Sequence, residues 1–237
     1  MEERQANILR AIVKSFIQTA APVGSKFLRE TCALPCSPAT IRNEMGKLEQ
    51  EGYLISPHVS AGRIPTERGF RFYVSQSQRE IQKIRPKVQK EFLSELQKHL
   101  LEKKADERMY DVVATLVRLT PHVAFASIPS SSRLFFLGFS NVLRHPEFSA
   151  EPALTSGIFR VLEDNFREIL LDLPIEKQPK VFIGQENIIP EIQSCSLIVA
   201  RPGKEKHFVG ILGPMRMDYA RNIAALEAAC EFFTMTA

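Results

Sequence analysis

The fold of this chain is limited above all by the punctuation of residues 1–75. From Arg4 to Thr19 the apolar residues Ile8, Leu9, Ile12, Val13, Phe16 and Ile17 recur at three- to four-residue spacing, which puts one apolar face on an amphipathic helix. Ala21-Pro22-Val23-Gly24 stops it, and Ser25 offers an N-cap for a short second helix reaching about Glu30, with Phe27 and Leu28 facing the first. After the turn Leu34-Pro35-Cys36, Ser37-Pro38 supplies an N-cap followed by proline at the first helical position. That opens a third helix through Ile41, Met45 and Leu48, ending at Gly52. Three helices joined by connections this short can bury their apolar faces only on one another.

Residues beyond the third helix narrow the choice. Tyr53-Leu54-Ile55-Ser56 reads as a strand, and the small-residue stretch from Val59 to Ile64 as a turn returning along it, closed by Pro65. A small hairpin behind a helix-turn-helix is a wing. Thr66 with Glu67 then starts another helix carrying Phe70, Phe72, Tyr73 and Val74. The expected fold class is α+β, beginning with a winged helix-turn-helix over residues 1–78.

From Arg79 to Leu119 the chain turns charged and strongly periodic, with Val88, Phe92, Leu96 and Leu100, then Met109, Val112, Leu116 and Leu119, as expected of long helices. Pro86 is expected to divide them from the wing helix. The stripe fits either a seam between two copies or a face buried on its own domain, so residues 79–119 are expected to form a helical connector and candidate dimer interface. Residues 120–237 alternate strand-like runs with helical patterns. The strands are Val123 to Ile128, Leu134 to Phe139, Val181 to Gly184, Leu197 to Ala200 and Phe208 to Leu212; the helices are Leu154 to Leu171 and a last one capped by Asp218. A sheet domain with packed helices is expected there.

Composition excludes more than it selects. No apolar run approaches the length needed to span a bilayer, and Met1-Glu2-Glu3-Arg4 opens no signal segment, so a cytoplasmic protein without a membrane partner is expected. Cys32, Cys36, Cys195 and Cys230 lack the spacing of a disulfide framework, and Cys32 with Cys36 lacks a second ligand pair for zinc. No metal and no cofactor are expected. The five histidines are dispersed, and neither a phosphate-binding loop nor a nucleophile elbow is present, so the chain does not read as an enzyme. Charge is uneven: residues 1–110 hold 19 Lys+Arg against 13 Asp+Glu, net +6, whereas the remainder is net −2. A polyanion would meet the first half.

In a helix-turn-helix the second helix of the motif enters the major groove with its N-terminal residues on base edges. Removing Ile41, Met45 and Leu48 as core leaves Ser37, Ala39, Arg42, Asn43 and Gly46 outward, with Thr40 at the edge. Arg and Asn suit bidentate contact with guanine and adenine. The competing reading is a surface Arg42 paired with Glu44 or Glu49. Ser25 and Lys26 open the preceding helix, where amides and a cation suit phosphate. On the wing, His58, Ser60 and Arg63 complete the candidate DNA-binding set, against the alternatives that His58 only ends a strand and that Arg63 pairs with Glu67. Gly184, Glu186 and Asn187 read as a turn after a strand ahead of a pocket lining.

Several runs of residues resemble the heat-inducible transcription repressor HrcA family. In the first half they are Ala21-Pro22-Val23-Gly24-Ser25, the run from Ser37 to Met45, and Pro57 to Thr66. Gly138 to Leu143, Ile183 to Asn187 and Gly213 to Arg221 carry the resemblance through the second. It implies a winged-helix domain followed by a GAF-like domain, and a homodimer on an inverted-repeat operator in double-stranded DNA ahead of chaperone operons, with a chaperonin as modulator. It covers residues 1 to about 128 and 134–237. Family members carry a long stretch, including an inserted dimerisation segment, where this chain has only Pro129 to Arg133, so the second domain is expected to be truncated. Two other functions fit the same residues: a ligand-responsive regulator of other genes, and an interaction protein that uses the winged helix against protein. Salt-dependent affinity for duplex DNA separates the last from the rest.

Overall fold

Helix caps written in the sequence are used where the local chemistry demands them in the computed structural model, which describes residues 1–32, 34–58, 61–98, 105–127, 133–164, 166–202 and 207–236. The first helix, α1 (Glu3–Thr19), ends on Ala20 in the left-handed region, and α2 spans Ser25–Cys32. Ser25 lies inside α2 and does not cap it, because the first helical bond runs from the Leu28 amide back to the Gly24 carbonyl. In α3 (Pro38–Gln50) the Ser37 hydroxyl accepts from the Thr40 amide at 3.1 Å, with Pro38 at the first position. The chain leaves α3 through Gly52 at φ +75°, a conformation that costs glycine nothing.

Two short strands, β1 (Leu54–Ile55) and β2 (Ile64–Pro65), then pair antiparallel with Leu54 opposite Pro65 and Ile55 opposite Ile64. Thr66 caps α4 (Glu67–Ser75) by accepting from the Gly69 amide and donates to the Gly52 carbonyl at 2.7 Å, closing the base of the hairpin. Ile8, Leu9, Ile12, Val13, Leu28, Ile41, Leu48 and Phe70 are buried in this part of the chain.

The expected division at Pro86 is corrected. Helix α5 runs Gln78–Gln97 straight through Pro86. Proline deprives the Gln82 carbonyl of its helical partner, but both residues lie on the exposed side, where the free carbonyl is open to solvent. The break falls earlier, at Gln76–Ser77, where the Gln76 amide reaches the Phe72 and Tyr73 carbonyls and the buried Ser77 hydroxyl caps Tyr73.

By compactness the chain divides into one unit of Met1–Gln78 with Met215–Asp218, and a second of Arg79–Pro214 with Tyr219–Ala237. The second opens with α5 and α6 (Ala105–Leu119). Val88, Phe92, Leu96, Val112 and Leu116 of the periodic stripe are buried within the single chain, so these side chains do not form a seam between copies; Leu100 lies outside the described residues.

Next come β3 (Val123–Ser127), β4 (Leu134–Leu137), the single turns α7 (Phe139–Val142) and α8 (Pro146–Ser149), α9 (Pro152–Asp164) and α10 (Phe166–Asp172). The unit closes with β5 (Lys180–Ile183), β6 (Cys195–Ala200), β7 (Val209–Pro214) and α11 (Tyr219–Thr236). Strand β4 is shorter than expected because Gly138 turns the chain and Phe139 already belongs to α7.

The five strands form one antiparallel sheet in the order β4-β3-β7-β6-β5. Val123 and Phe125 of β3, Leu197 and Val199 of β6 and Leu212 of β7 join a core with Ile158 and Leu162 of α9 and Phe166 and Leu170 of α10. Alternate residues point the other way, and helices α6 and α11 pack along the sheet. Ser196 on β6 bonds the buried Tyr219 hydroxyl at 2.7 Å. Both faces being covered explains why β3, β6 and β7 are buried at every position and lack the apolar-polar alternation of a half-exposed strand.

The Gly184–Glu186 segment is a tight turn, with Gly184 at φ +57°. The Glu186 carboxylate accepts from the Ile183 amide, and the buried Asn187 amide nitrogen reaches the carbonyls of Gly184, Ile192 and Cys195 at 3.0–3.2 Å. Asn187→Ala, which strips the donors from three carbonyls, is expected to cost about 1–3 kcal/mol of unfolding free energy in urea titration.

Candidate nucleic-acid interface

Helix α3 has a buried side of Ile41, Glu44, Met45 and Leu48 packed against α1 and α2. The 3.6-residue period then turns Arg42 and Asn43 outward, and both are exposed. Neither side chain has a hydrogen bond or ion pair with a described residue. The carboxylates that could have paired with Arg42 are committed elsewhere. Glu44 accepts from Arg4 at 2.6 Å and from Lys47 at 3.4 Å, and Glu49 is held by Arg63 at 2.9 Å. The alternative of a self-paired Arg42 is thereby corrected.

The other expected contact residues separate into two groups. Lys26 on α2 and His58 at the hairpin tip are exposed, with no side-chain partner among the described residues, and Ala39 is exposed with no polar atom to offer. Ser37 and Thr40 bond each other at 2.9 Å as part of the cap, and Ser25 is buried. Ser60 lies outside the described residues. Arg63 pairs with Glu49, not with Glu67, and also donates to Ser56 and Ala61 at 3.2 Å.

Sequence reasoning missed the residues that hold this surface in place. Arg4 and Glu44 lie 40 residues apart, a separation that no periodicity reports. Arg68 of α4 stacks its guanidinium 4.3 Å above the Tyr53 ring and donates to the Glu51 carbonyl at 2.7 Å, bracing the exit of α3. An arginine one residue after a capped helix start was legible only as a surface cation.

Charge at Glu44 is set by opposing effects. Burial raises its pKa, while the Arg4 hydrogen bond and the charges of Lys47 and Arg4 outweigh burial and hold the carboxyl below its ordinary range. Burial pushes the Cys195 and Cys230 thiols up to about 12, and no cluster of three His, Cys, Asp or Glu suited to a metal occurs among the described residues. No helix among the described residues is long and apolar enough to cross a membrane.

Fold and surface together define a mixed helix-and-sheet protein whose first unit presents an exposed arginine and asparagine on one capped helix. The model of the family described as HrcA protein C terminal domain matches residues 73–223, and the chain belongs to the HrcA family. It is similar to proteins named heat-inducible transcription repressor HrcA. The one from Carboxydothermus hydrogenoformans is 28% identical over 334 residues, covering 99% of this chain and 97% of the relative. That from Desulfitobacterium hafniense is 26% identical over 328 residues, covering 96% and 95%, and that from Streptomyces albus G is 40% identical over 179 residues, covering 73% and 48%. Alignments of 328 and 334 positions against 237 residues contain stretches that this chain lacks. A crystal structure described only as that of a hypothetical protein shares the fold, with a TM-score of 0.76 at 20% identity over 100% of this chain and 99% of the other.

Because the folded Glu44 pKa is depressed, its stabilisation is full above the ordinary carboxylate value of 4.5 and is lost as pH falls through the lower folded value. Glu44→Gln is therefore expected to be roughly 1–2 kcal/mol less stable than the unaltered chain at pH 7. In urea titrations repeated across pH, that difference should close below pH 4.5.

Proposed function

We propose that this chain is a sequence-specific DNA-binding repressor whose first unit is a winged helix-turn-helix. One observation carries the reading: Arg42 and Asn43 stand exposed and without a side-chain partner among the described residues, while the two carboxylates of α3, Glu44 and Glu49, are taken by other cations. Free donors on a rigid helix are what groove readout needs, since a side chain already paired would have to give up one bond to make another. Arg42 and Asn43 then face base edges, Lys26 and the start of α2 take a phosphate, and His58 follows the backbone beside the groove.

The finer points follow the family. Relatives are named heat-inducible transcription repressor, and the family resemblance extends the reading to chaperone operons as targets and an inverted-repeat operator, which a two-fold dimer would match. Val88, Phe92, Leu96, Val112 and Leu116 of the stripe on α5 and α6 are buried, so in this reading dimer contacts use other side chains of the GAF-like second unit. Chaperonin modulation and a cytoplasmic location belong to the same reading, and so does a role in binding and not in catalysis. Heating would then lower repression by lowering the folded fraction available to bind.

Mobility shifts of the full chain on an inverted-repeat duplex and on random duplex, over a range of salt, test this. Arg42→Ala is expected to cost about 1–3 kcal/mol on the operator and to relax base preference. Lys26→Ala should weaken both duplexes alike and reduce the salt slope by about 1. Equal losses on the two duplexes for Arg42→Ala would remove Arg42 from base readout, and no salt-dependent duplex affinity at all would favour the protein-interaction alternative.

A further inference from the structure

The hairpin between β1 and β2 carries one arginine, and its surroundings give that arginine a role other than touching DNA. Arg63 directs Nε and Nη2 at the Glu49 carboxylate on the last turn of α3, each 2.9 Å away. Its Nη1 donates to the Ser56 hydroxyl and the Ala61 carbonyl, both at 3.2 Å. Ser56 in turn donates to the His58 carbonyl at 2.8 Å, and the Ala61 amide donates to the same carbonyl at 3.0 Å. The guanidinium therefore sits at the centre of a network that joins α3 to both limbs of the hairpin and, through two bonds, to the backbone of His58.

The backbone of Arg63 is fixed as well. Its amide donates to the Val23 carbonyl and its carbonyl accepts from the Val23 amide, both at 2.9 Å, tying the returning limb to the segment that enters α2. Gly62 makes this approach possible, since a Cβ there would lie 2.6 Å from the Val23 carbonyl. One residue thus connects the entry of α2, the last turn of α3 and the hairpin, and these are the three elements that carry Lys26, Arg42 with Asn43, and His58.

We propose that Arg63 is a positioning residue: it locks the hairpin onto α3 and α2 so that His58 is held in fixed register with Arg42 and Lys26, and it does not itself bind phosphate. This rests on the reading that the first unit binds duplex DNA. The physical ground is that four of the donor contacts a guanidinium can make are already satisfied within the protein and its charge is balanced by Glu49, so a phosphate contact would require breaking the lock. A planar fork is also required. Lysine carries the same charge but cannot span Glu49, Ser56 and Ala61 together.

The test compares Arg63→Lys, Arg63→Ala, Glu49→Ala and the double variant, using salt-dependent mobility shifts on the operator duplex and hydrogen exchange of the free protein. A positioning role predicts that Arg63→Lys fails to rescue. Both single variants at position 63 and Glu49→Ala should lose about 5- to 30-fold in operator affinity with the salt slope of the unaltered chain, and the double variant should be no worse than the weaker single. In the free protein, exchange at the Ala61 and Arg63 amides should quicken in all of them. Restoration of affinity by lysine, with a slope reduced by about 0.9 in Arg63→Ala and no loss in Glu49→Ala, would make Arg63 a phosphate contact and overturn the proposal. Unchanged amide exchange would overturn it too. Failure of the unaltered chain to bind any duplex would instead strike at the DNA reading, and the exchange measurement, made without DNA, would still decide whether the lock exists.

Discussion

Everything proposed for the first unit depends on the one-sided burial of α3. Ile41, Met45 and Leu48 sit against α1 and α2, and burying three such side chains contributes several kcal/mol, on the order of 1.5–3 each for full burial. A helix fixed on that side has no freedom over which residues it shows. Arg42 and Asn43 follow Ile41 by one and two positions and are carried round to the open side by the helical period alone. The Ser37 cap and Pro38 set where the helix begins, and hence which residues fall in its first turns.

Two arginine–glutamate ties then hold that helix in place. Arg4 meets Glu44 from the start of α1, and Arg63 meets Glu49 from the hairpin. The Arg63 pair, partly exposed on both sides, need not stabilise the fold greatly to matter. Their consequence is positional: they remove the acidic residues of α3 from the neighbourhood of Arg42. The helix carries Glu44 and Glu49, which would repel a polyanion if unpaired, and the pairing neutralises both.

The second unit shows a different economy. Its sheet is sandwiched, with large side chains such as Phe125, Leu197 and Phe166 on one face. On the other face Ala124, Ala126 and Ser196 are buried where α6 and α11 pack along the sheet, and Ala224 and Ala228 of α11 are buried as well. Two of the polar groups buried there hold the fold together, Asn187 through three carbonyls and Ser196 through Tyr219.

The sequence by itself determined what local chemistry can determine. Apolar periodicity placed α1, α3, α5 and α6, caps at Ser37 and Thr66 placed two helix starts, and the turn chemistry around Gly52 and Gly184 was readable because few residues tolerate those backbone angles. It also picked out Arg42 and Asn43, since which side of a helix is apolar is a property of one segment. It misjudged Pro86, because whether a proline breaks a helix depends on whether water or protein surrounds the orphaned carbonyl, and that is set by burial. Only the tertiary structure decided which carboxylate each arginine takes. Glu44 and Glu49 stand within two helical turns of Arg42 in sequence, yet they went to Arg4 and Arg63, 40 and 14 residues away, because ion pairing follows distance in space and the chain's path, not its order, brings those atoms together.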